Sequence, residues 1–240
     1  MLIVGFRSQT LAFALSLSFA LILDKFIASV TANTSSDNNY KRLINSGMDK
    51  YGKPRMRLAV LLRNKILNKL DMPWVMEGGT LLGAWRNGSF ILWKDDFDFA
   101  MFSENNPKPL IPLILRKIKQ LLPSPYKARY VTTYADKIEV YDPRYGEYNL
   151  LAPKYKGASF HHCTADLQFY QHVKEKYVPL YYIDPIVKSV YFKDVFPLRS
   201  IELEGEMFPA PFNTEGYLKS LYGSLSPNAK FNPKTGFYMK

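Results

Sequence analysis

Apolar and polar positions alternate along this chain in two different rhythms, and the places where the rhythm changes mark its elements. From Arg55 to Leu70, Met56, Ala59, Val60, Ile66, Leu67 and Leu70 return at intervals of three or four, which predicts an amphipathic helix. Pro73 ends it, and Trp74-Val75-Met76 reads as a short buried strand. A second helix is expected over Thr80 to Arg86, and Pro109 to Leu122 predicts a basic amphipathic helix with Lys117 and Lys119 near its end, where positive charge complements the helix dipole.

Between and after these helices the period shortens to two. Strands are expected around Asp96 to Phe99, at Arg129 to Tyr134, at Lys137 to Tyr141 before the turn Asp142-Pro143-Arg144-Tyr145-Gly146, and at Cys163 to Val173. In the last of these, Leu167 and Phe169 share one face, and Asp166, Gln168 and Tyr170 the other. Tyr177 to Tyr182 and Ile201 to Leu203 add strands, and a final helix runs from Thr214 to Leu221, capped by Asn213 and ended by Gly223. Helices and strands without a repeating unit point to an α+β domain.

The amino terminus follows neither rhythm. Arg7 is the one charge before an uninterrupted apolar and small run, Leu11 to Leu23, which Asp24 and Lys25 close. That run is shorter than the ~20 residues a bilayer crossing requires and suits a signal-peptide core, with cleavage after Val30-Thr31-Ala32. A tilted signal-anchor that snorkels Lys25 is the alternative, giving membrane attachment through this segment. Residues 1–32 are thus expected to be a signal peptide or signal-anchor, 33–54 a flexible linker and lead-in, and 55–240 one catalytic domain. Asn33-Thr34-Ser35 fits the N-glycosylation pattern in that linker. Either fate of the leader turns the domain toward the secretory lumen, in the Golgi or the endoplasmic reticulum, or outside the cell if the segment is cleaved and nothing retains the chain.

Bulk properties add less. With 240 residues, 47% of them hydrophobic, the chain is long enough for one well-cored domain plus a short extension. Lys+Arg 32 against Asp+Glu 21 gives a formal net charge of +11, which suits nucleic acid, an anionic membrane or a phosphorylated substrate equally. The leader argues against nucleic acid. The single cysteine, Cys163, rules out an intrachain disulfide and a multi-cysteine zinc site, and is expected to be a half-buried strand residue.

Chemistry concentrates between Glu77 and Met101. Gly78 and Gly79 stand at a strand-to-helix junction, where a backbone without Cβ can approach a phosphate and the amides of the helix start favour an anion. Asp96 and Asp98, two apart on a strand, share a face from which both carboxylates reach one or two cations, while Phe97 and Phe99 turn to the core. Hard divalent cations such as Mg²⁺ prefer such oxygens and leave positions for phosphate. Asp166 is the candidate third acid, although a lone strand acid is also compatible with a solvated surface position. The histidines His161, His162 and His172 are left out as satisfied polar groups, and Trp85, Trp93 and Tyr170 read as core before they read as a cytosine stack.

With these segments in place the chain resembles the LicD/fukutin family of the nucleotidyltransferase-fold superfamily. The likeness rests on Glu77 through Arg86, on Trp93 through Asp98, on Asp194-Val195-Phe196-Pro197-Leu198-Arg199, on Ile201 through Gly205, on Pro209-Ala210-Pro211 and on Tyr217 through Gly223. The Glu-Gly-Gly start looks most like the fukutin-related branch, without the cysteines for the zinc site found there. Leu92 and Lys94 stand where the family commonly has proline and an acid.

The resemblance implies a nucleotidyltransferase fold with the acidic site on a mixed β-sheet flanked by helices. It also implies transfer of a phospho-alcohol, such as phosphocholine or ribitol 5-phosphate, from a CDP-alcohol donor to a hydroxyl of a glycan or glycoprotein acceptor. Asp96, Asp98 and Asp166 would bind Mg²⁺ or Mn²⁺, with Asp166 alternatively taking the acceptor proton. Gly78, Gly79 and Thr80 would cradle phosphate, and Arg86 would neutralise charge on the leaving CMP or form a structural ion pair. An inactive glycan-binding member of the same fold is the competing reading.

Overall fold

A computed structural model describes residues 51–91, 96–133, 135–149, 159–180, 188–232 and 234–239. Residues 1–50, which hold the leader and most of the linker and lead-in, lie outside the described residues, as do Trp93 and Lys94; the helix start at Gly52 falls within the expected lead-in. Among those described, no helix is long and apolar enough to cross a membrane.

Chain order begins with helix α1 (Gly52–Lys65), strand β1 (Trp74–Met76), helix α2 (Gly78–Asn87) and strand β2 (Phe97–Ser103). Helix α3 (Ile111–Leu121) leads to β3 (Lys127–Val131), β4 (Lys137–Tyr141), β5 (Glu147–Asn149) and β6 (Ser159–His161). The long strand β7 (Thr164–Val173) is followed by β8 (Lys176–Pro179), β9 (Val190–Tyr191) and the short helix α4 (Phe192–Val195). The hairpin β10 (Arg199–Leu203) and β11 (Glu206–Ala210), helix α5 (Thr214–Tyr222) and the pair β12 (Lys230–Asn232) and β13 (Phe237–Met239) complete the order.

The principal sheet runs β1-β2-β7-β4-β3, with β8 pairing β7 and β9 pairing β8. β2 and β7 are parallel neighbours, and the other pairings in this sheet are antiparallel. The sheet is therefore mixed, as the α+β expectation with a mixed sheet requires. Parallel pairing of β2 with β7 needs a long crossover, and α3, β3 and β4 lie within it. The register sets Asp98 opposite Asp166 and Asp166 opposite Glu139.

Period two decides which side of the sheet does what. Phe97, Phe99, Leu167, Ile138 and Val140 are fully buried and belong to the hydrophobic core. Asp98, Asp166, Glu139, Lys137 and Gln168 stand at the alternate positions, on the opposite face.

Several boundaries differ from expectation. α1 stops at Lys65, because Ile66 leaves helical angles (φ −125°, ψ −65°) and a single 3-10 turn follows at Leu67–Lys69. Its buried stripe is Arg55, Leu58, Ala59 and Leu62, rotated from the one through Met56 and Val60. Arg55 sits in that stripe because its Nε donates to the His162 carbonyl at 2.9 Å, which satisfies a buried guanidinium. The Arg129–Tyr134 strand becomes Lys127–Val131, and the Tyr177–Tyr182 strand becomes Lys176–Pro179.

Two of the resemblance segments have plain structural work. β10 and β11 are joined by Glu204 (φ 52°) and Gly205 (φ 83°), the positive angles that a tight two-residue hairpin turn demands. That turn closes the end of α2: the Glu204 amide donates to the Gly88 carbonyl at 2.8 Å, and the Phe90 amide donates to Glu204 Oε1 at 3.0 Å. Asp194 braces the start of α5, accepting from Asn213 Nδ2 at 2.8 Å while Asn213 Oδ1 accepts from the Gly216 amide as the helix cap.

Candidate functional site

The site begins where β1 hands the chain to α2. The Glu77 amide donates to the Asp98 carbonyl at 2.9 Å, tying this junction to β2. Gly78 then takes φ +56°, and a Cβ there would meet Asp98 Oδ2 at 3.1 Å, so this glycine supplies both an unusual backbone angle and room for a carboxylate. Helical hydrogen bonding starts at Gly78, two residues ahead of the expected Thr80. Thr80 is fully buried, and its Oγ1 accepts from the Asp98 amide at 3.0 Å. The hydroxyl thus holds the backbone of β2 in place.

Asp96, Asp98 and Asp166 come together. One carboxylate oxygen from each lies within 4.8 Å of the others. Asp98 and Asp166 are buried, at 3% and 4% exposure, and Asp96 is half-buried just before β2. The solvated-acid alternative for Asp166 is thereby excluded.

Three clustered carboxylates repel one another, and the structure answers this with nearby donors. Gln168 Nε2 donates to Asp98 Oδ1 at 3.3 Å, and Lys137 Nζ is paired with Asp166 Oδ2. Burial raises the Asp166 pKa to about 6, with Asp96 and Glu139 pushing in the same direction and Lys137 opposing them.

An all-oxygen donor set is what hard divalent cations select. Asp166 Oδ1 also fits: it is buried and has no hydrogen-bond partner among the described residues. A buried carboxylate oxygen in that condition is costly unless a cation completes it.

The junction also holds a buried carboxylate, Glu77, to which sequence reasoning gave no role beyond its place in the resemblance. Glu77 is 2% exposed, and it accepts from Tyr170 Oη at 2.8 Å and from Tyr217 Oη on its other oxygen. Burial, together with the Glu77 charge, raises the pKa of both phenols well above the usual tyrosine range and keeps them as donors. Tyr170 is therefore a core residue with a hydrogen-bonding duty, which β7 and α5 share.

Lys137, Glu139 and Gln168 were also missed. Glu139 pairs with Arg129 and lies 3.2 Å from His161 Nδ1. The signal for these residues was present in the alternation of β4 and β7, but a polar strand face reads the same whether it meets solvent or a site.

The remaining expected residues are placed as follows. Gly79 lies in the first turn of α2, buried. Arg86 lies eight residues beyond Gly78, roughly 12 Å along the helix axis, and its Nη2 donates to the Leu225 carbonyl at 3.0 Å. Trp85 packs partly buried against the core. Cys163 is fully buried, not half-buried, and burial pushes its thiol up to about 12, which makes it an inert core residue.

Comparison with known proteins agrees with this geometry. No curated protein matches the chain. The family profile described as LicD/FKTN/FKRP, nucleotidyltransferase domain, matches residues 71–213, a span that contains β1, the Gly78 junction and all three clustered acids. The chain therefore belongs to the LicD/FKTN/FKRP family and carries its nucleotidyltransferase domain.

Proposed function

We propose that this domain moves a phospho-alcohol, of the phosphocholine or ribitol 5-phosphate type, from a CDP-activated donor to a hydroxyl of a glycan in the secretory pathway. The observation that carries the reading is the convergence of Asp96, Asp98 and the orphaned oxygen of buried Asp166 inside a domain of this family. The apolar run Leu11 to Leu23 supports the compartment, the Golgi or the endoplasmic reticulum, whether it is cleaved or anchors the chain.

In the transfer, an acceptor oxygen forms a bond to the donor's alcohol-bearing phosphorus, the bond from that phosphorus to CMP breaks, and the hydroxyl proton leaves to a base. Asp96, Asp98 and Asp166 would hold a Mg²⁺ or Mn²⁺ ion, which when bound would neutralise the donor diphosphate and orient it. Gly78 and Gly79, at the start of α2, offer a phosphate close backbone approach and a helix N-terminus. Thr80 contributes by holding Asp98, since its hydroxyl already accepts from that residue's amide. Asp166 brings Oδ1 as the third ligand atom or as the acceptor of the hydroxyl proton. Arg86 would neutralise charge on the leaving CMP or act structurally; its Nη2 donates to the Leu225 carbonyl.

The test is a donor panel. The lumenal domain, incubated with Mn²⁺, glycan acceptors and CDP-choline, CDP-ribitol or CDP-glycerol, is expected to release CMP from one of them in an acceptor-dependent manner. Silence with every donor, together with glycan binding, would favour the inactive glycan-binding reading.

A further inference from the structure

We propose that Lys137 is a positioning residue of the metal centre: by holding one oxygen of Asp166 it presents the other to the cation. This rests on the metal reading given above.

The sheet register places the parts. Asp98, Asp166 and Glu139 form one row across β2, β7 and β4. The next row on the same face is Ala100, Gln168 and Lys137. From this second row, Gln168 reaches back to Asp98 Oδ1, and Lys137 reaches back to Asp166 Oδ2. Each of the two buried ligand acids is thus gripped by a long side chain from the neighbouring row.

The grip on Asp166 leaves a specific atom. Oδ2 is taken by the ammonium, and Oδ1 is buried without a hydrogen-bond partner among the described residues. A carboxylate held at one oxygen loses much of its freedom to rotate away from Asp96 and Asp98. Glu139, the third acid of the Asp98–Asp166 row, is itself engaged by Arg129 and His161, so among the described residues Lys137 is the cation paired with Asp166.

Stability gives little reason for this pair. The side chains of Lys137 and Asp166 are 7% and 6% exposed, and a buried ion pair usually gains no more than a well-packed apolar pair of the same volume. Partners that orient a metal ligand from the outer shell, by contrast, are worth 10–100-fold in metal affinity.

The charge argument agrees with the geometry. Counting the triad and Lys137 alone, one ammonium against three carboxylates leaves a formal charge that a single divalent cation cancels. Removing the ammonium leaves an excess negative charge in a buried site whether the cation is bound or not.

The experiment measures Mn²⁺ binding to the purified protein by electron paramagnetic resonance at fixed pH. Lys137→Met is expected to weaken Mn²⁺ by roughly 10–100-fold, and Lys137→Gln, which keeps an N–H donor for Asp166 Oδ2, to recover much of that loss. Melting of the metal-free variants is followed in parallel. Should Lys137→Met not fold, Lys137→Gln against wild type carries the comparison, with an intermediate affinity expected.

Unchanged Mn²⁺ affinity with a lowered metal-free Tm would make Lys137 a structural counter-ion and overturn the inference. Tighter binding would overturn it as well, by showing that the ammonium competes with the metal. If wild type binds no Mn²⁺, the metal reading falls and this inference with it. If wild type binds, Asp96→Ala plus Asp98→Ala abolishes binding and Lys137→Met does not alter it, only the inference falls.

Discussion

Gly78 shows how closely one residue can tie backbone to chemistry. Its φ of +56° is a region that an L side chain enters at a cost of about 1–2 kcal/mol. The Cβ of an alanine would also press on Asp98 Oδ2, 3.1 Å away. Gly78→Ala is therefore expected to lower stability by about 1–2 kcal/mol in urea unfolding and to weaken Mn²⁺ binding, because the carboxylate that must move is one of the three proposed to hold the metal. A variant as stable as wild type, with unchanged Mn²⁺ affinity, would show that the junction tolerates a side chain and that Asp98 is not held by it. Asp98 was legible from sequence as a strand acid, whereas Asp96 joins it from a bend just before β2 and not from the strand that the two-residue spacing supposed. Lys137 and Gln168 were not legible, since their importance comes from lying opposite one another in a pairing that local sequence does not encode.

At the scale of elements, the ends of β2, β7 and β8 are laced by Glu104, which lies 2.7 Å from His172 Nδ1 and accepts from Tyr177 Oη at 3.0 Å. The His172 hydrogen bond, with that of Tyr177, holds the Glu104 carboxyl below its ordinary value of 4.5, so the folded state binds this proton less readily than the unfolded chain does. The associated stability is complete above about pH 4.5 and is lost as pH falls through the lower folded-state value. Glu104→Gln should accordingly lower Tm at neutral pH, with the gap to wild type closing under acid conditions. A gap that stays constant from neutral pH to acid would contradict this assignment.

Element types were mostly readable, because periods of two and of three to four are local properties. The face that α1 buries was readable in part: Ala59 is fully buried, while Met56 and Val60 pack at the edge of the core. Arg55 takes a core position that its charge would argue against, and the compensating His162 carbonyl lies 107 residues away in sequence. Glu77 drew no role of its own for the same reason, since the phenols that make its burial tolerable come from β7 and α5.

At the scale of the whole molecule, the parallel pairing of β2 with β7 brings acids about seventy residues apart onto adjacent strands, and the family profile spans that arrangement from residue 71 to 213. The long crossover, with α3, β3 and β4 inside it, also delivers Lys137 and Glu139 to the same face. A fold that carries its acids and their counter-charges on one sheet face fits a reaction in which a diphosphate must be neutralised and held.

The most direct test compares wild type with Asp96→Ala plus Asp98→Ala for CMP release from the preferred CDP-alcohol, with Mn²⁺ and with EDTA. The predicted result is metal-dependent release that the double variant reduces by more than roughly 100-fold, beyond the loss an outer-shell change produces. Release at the wild-type rate from the double variant, or undiminished release in EDTA, would contradict the assignment of Asp96, Asp98 and Asp166 as the reaction centre.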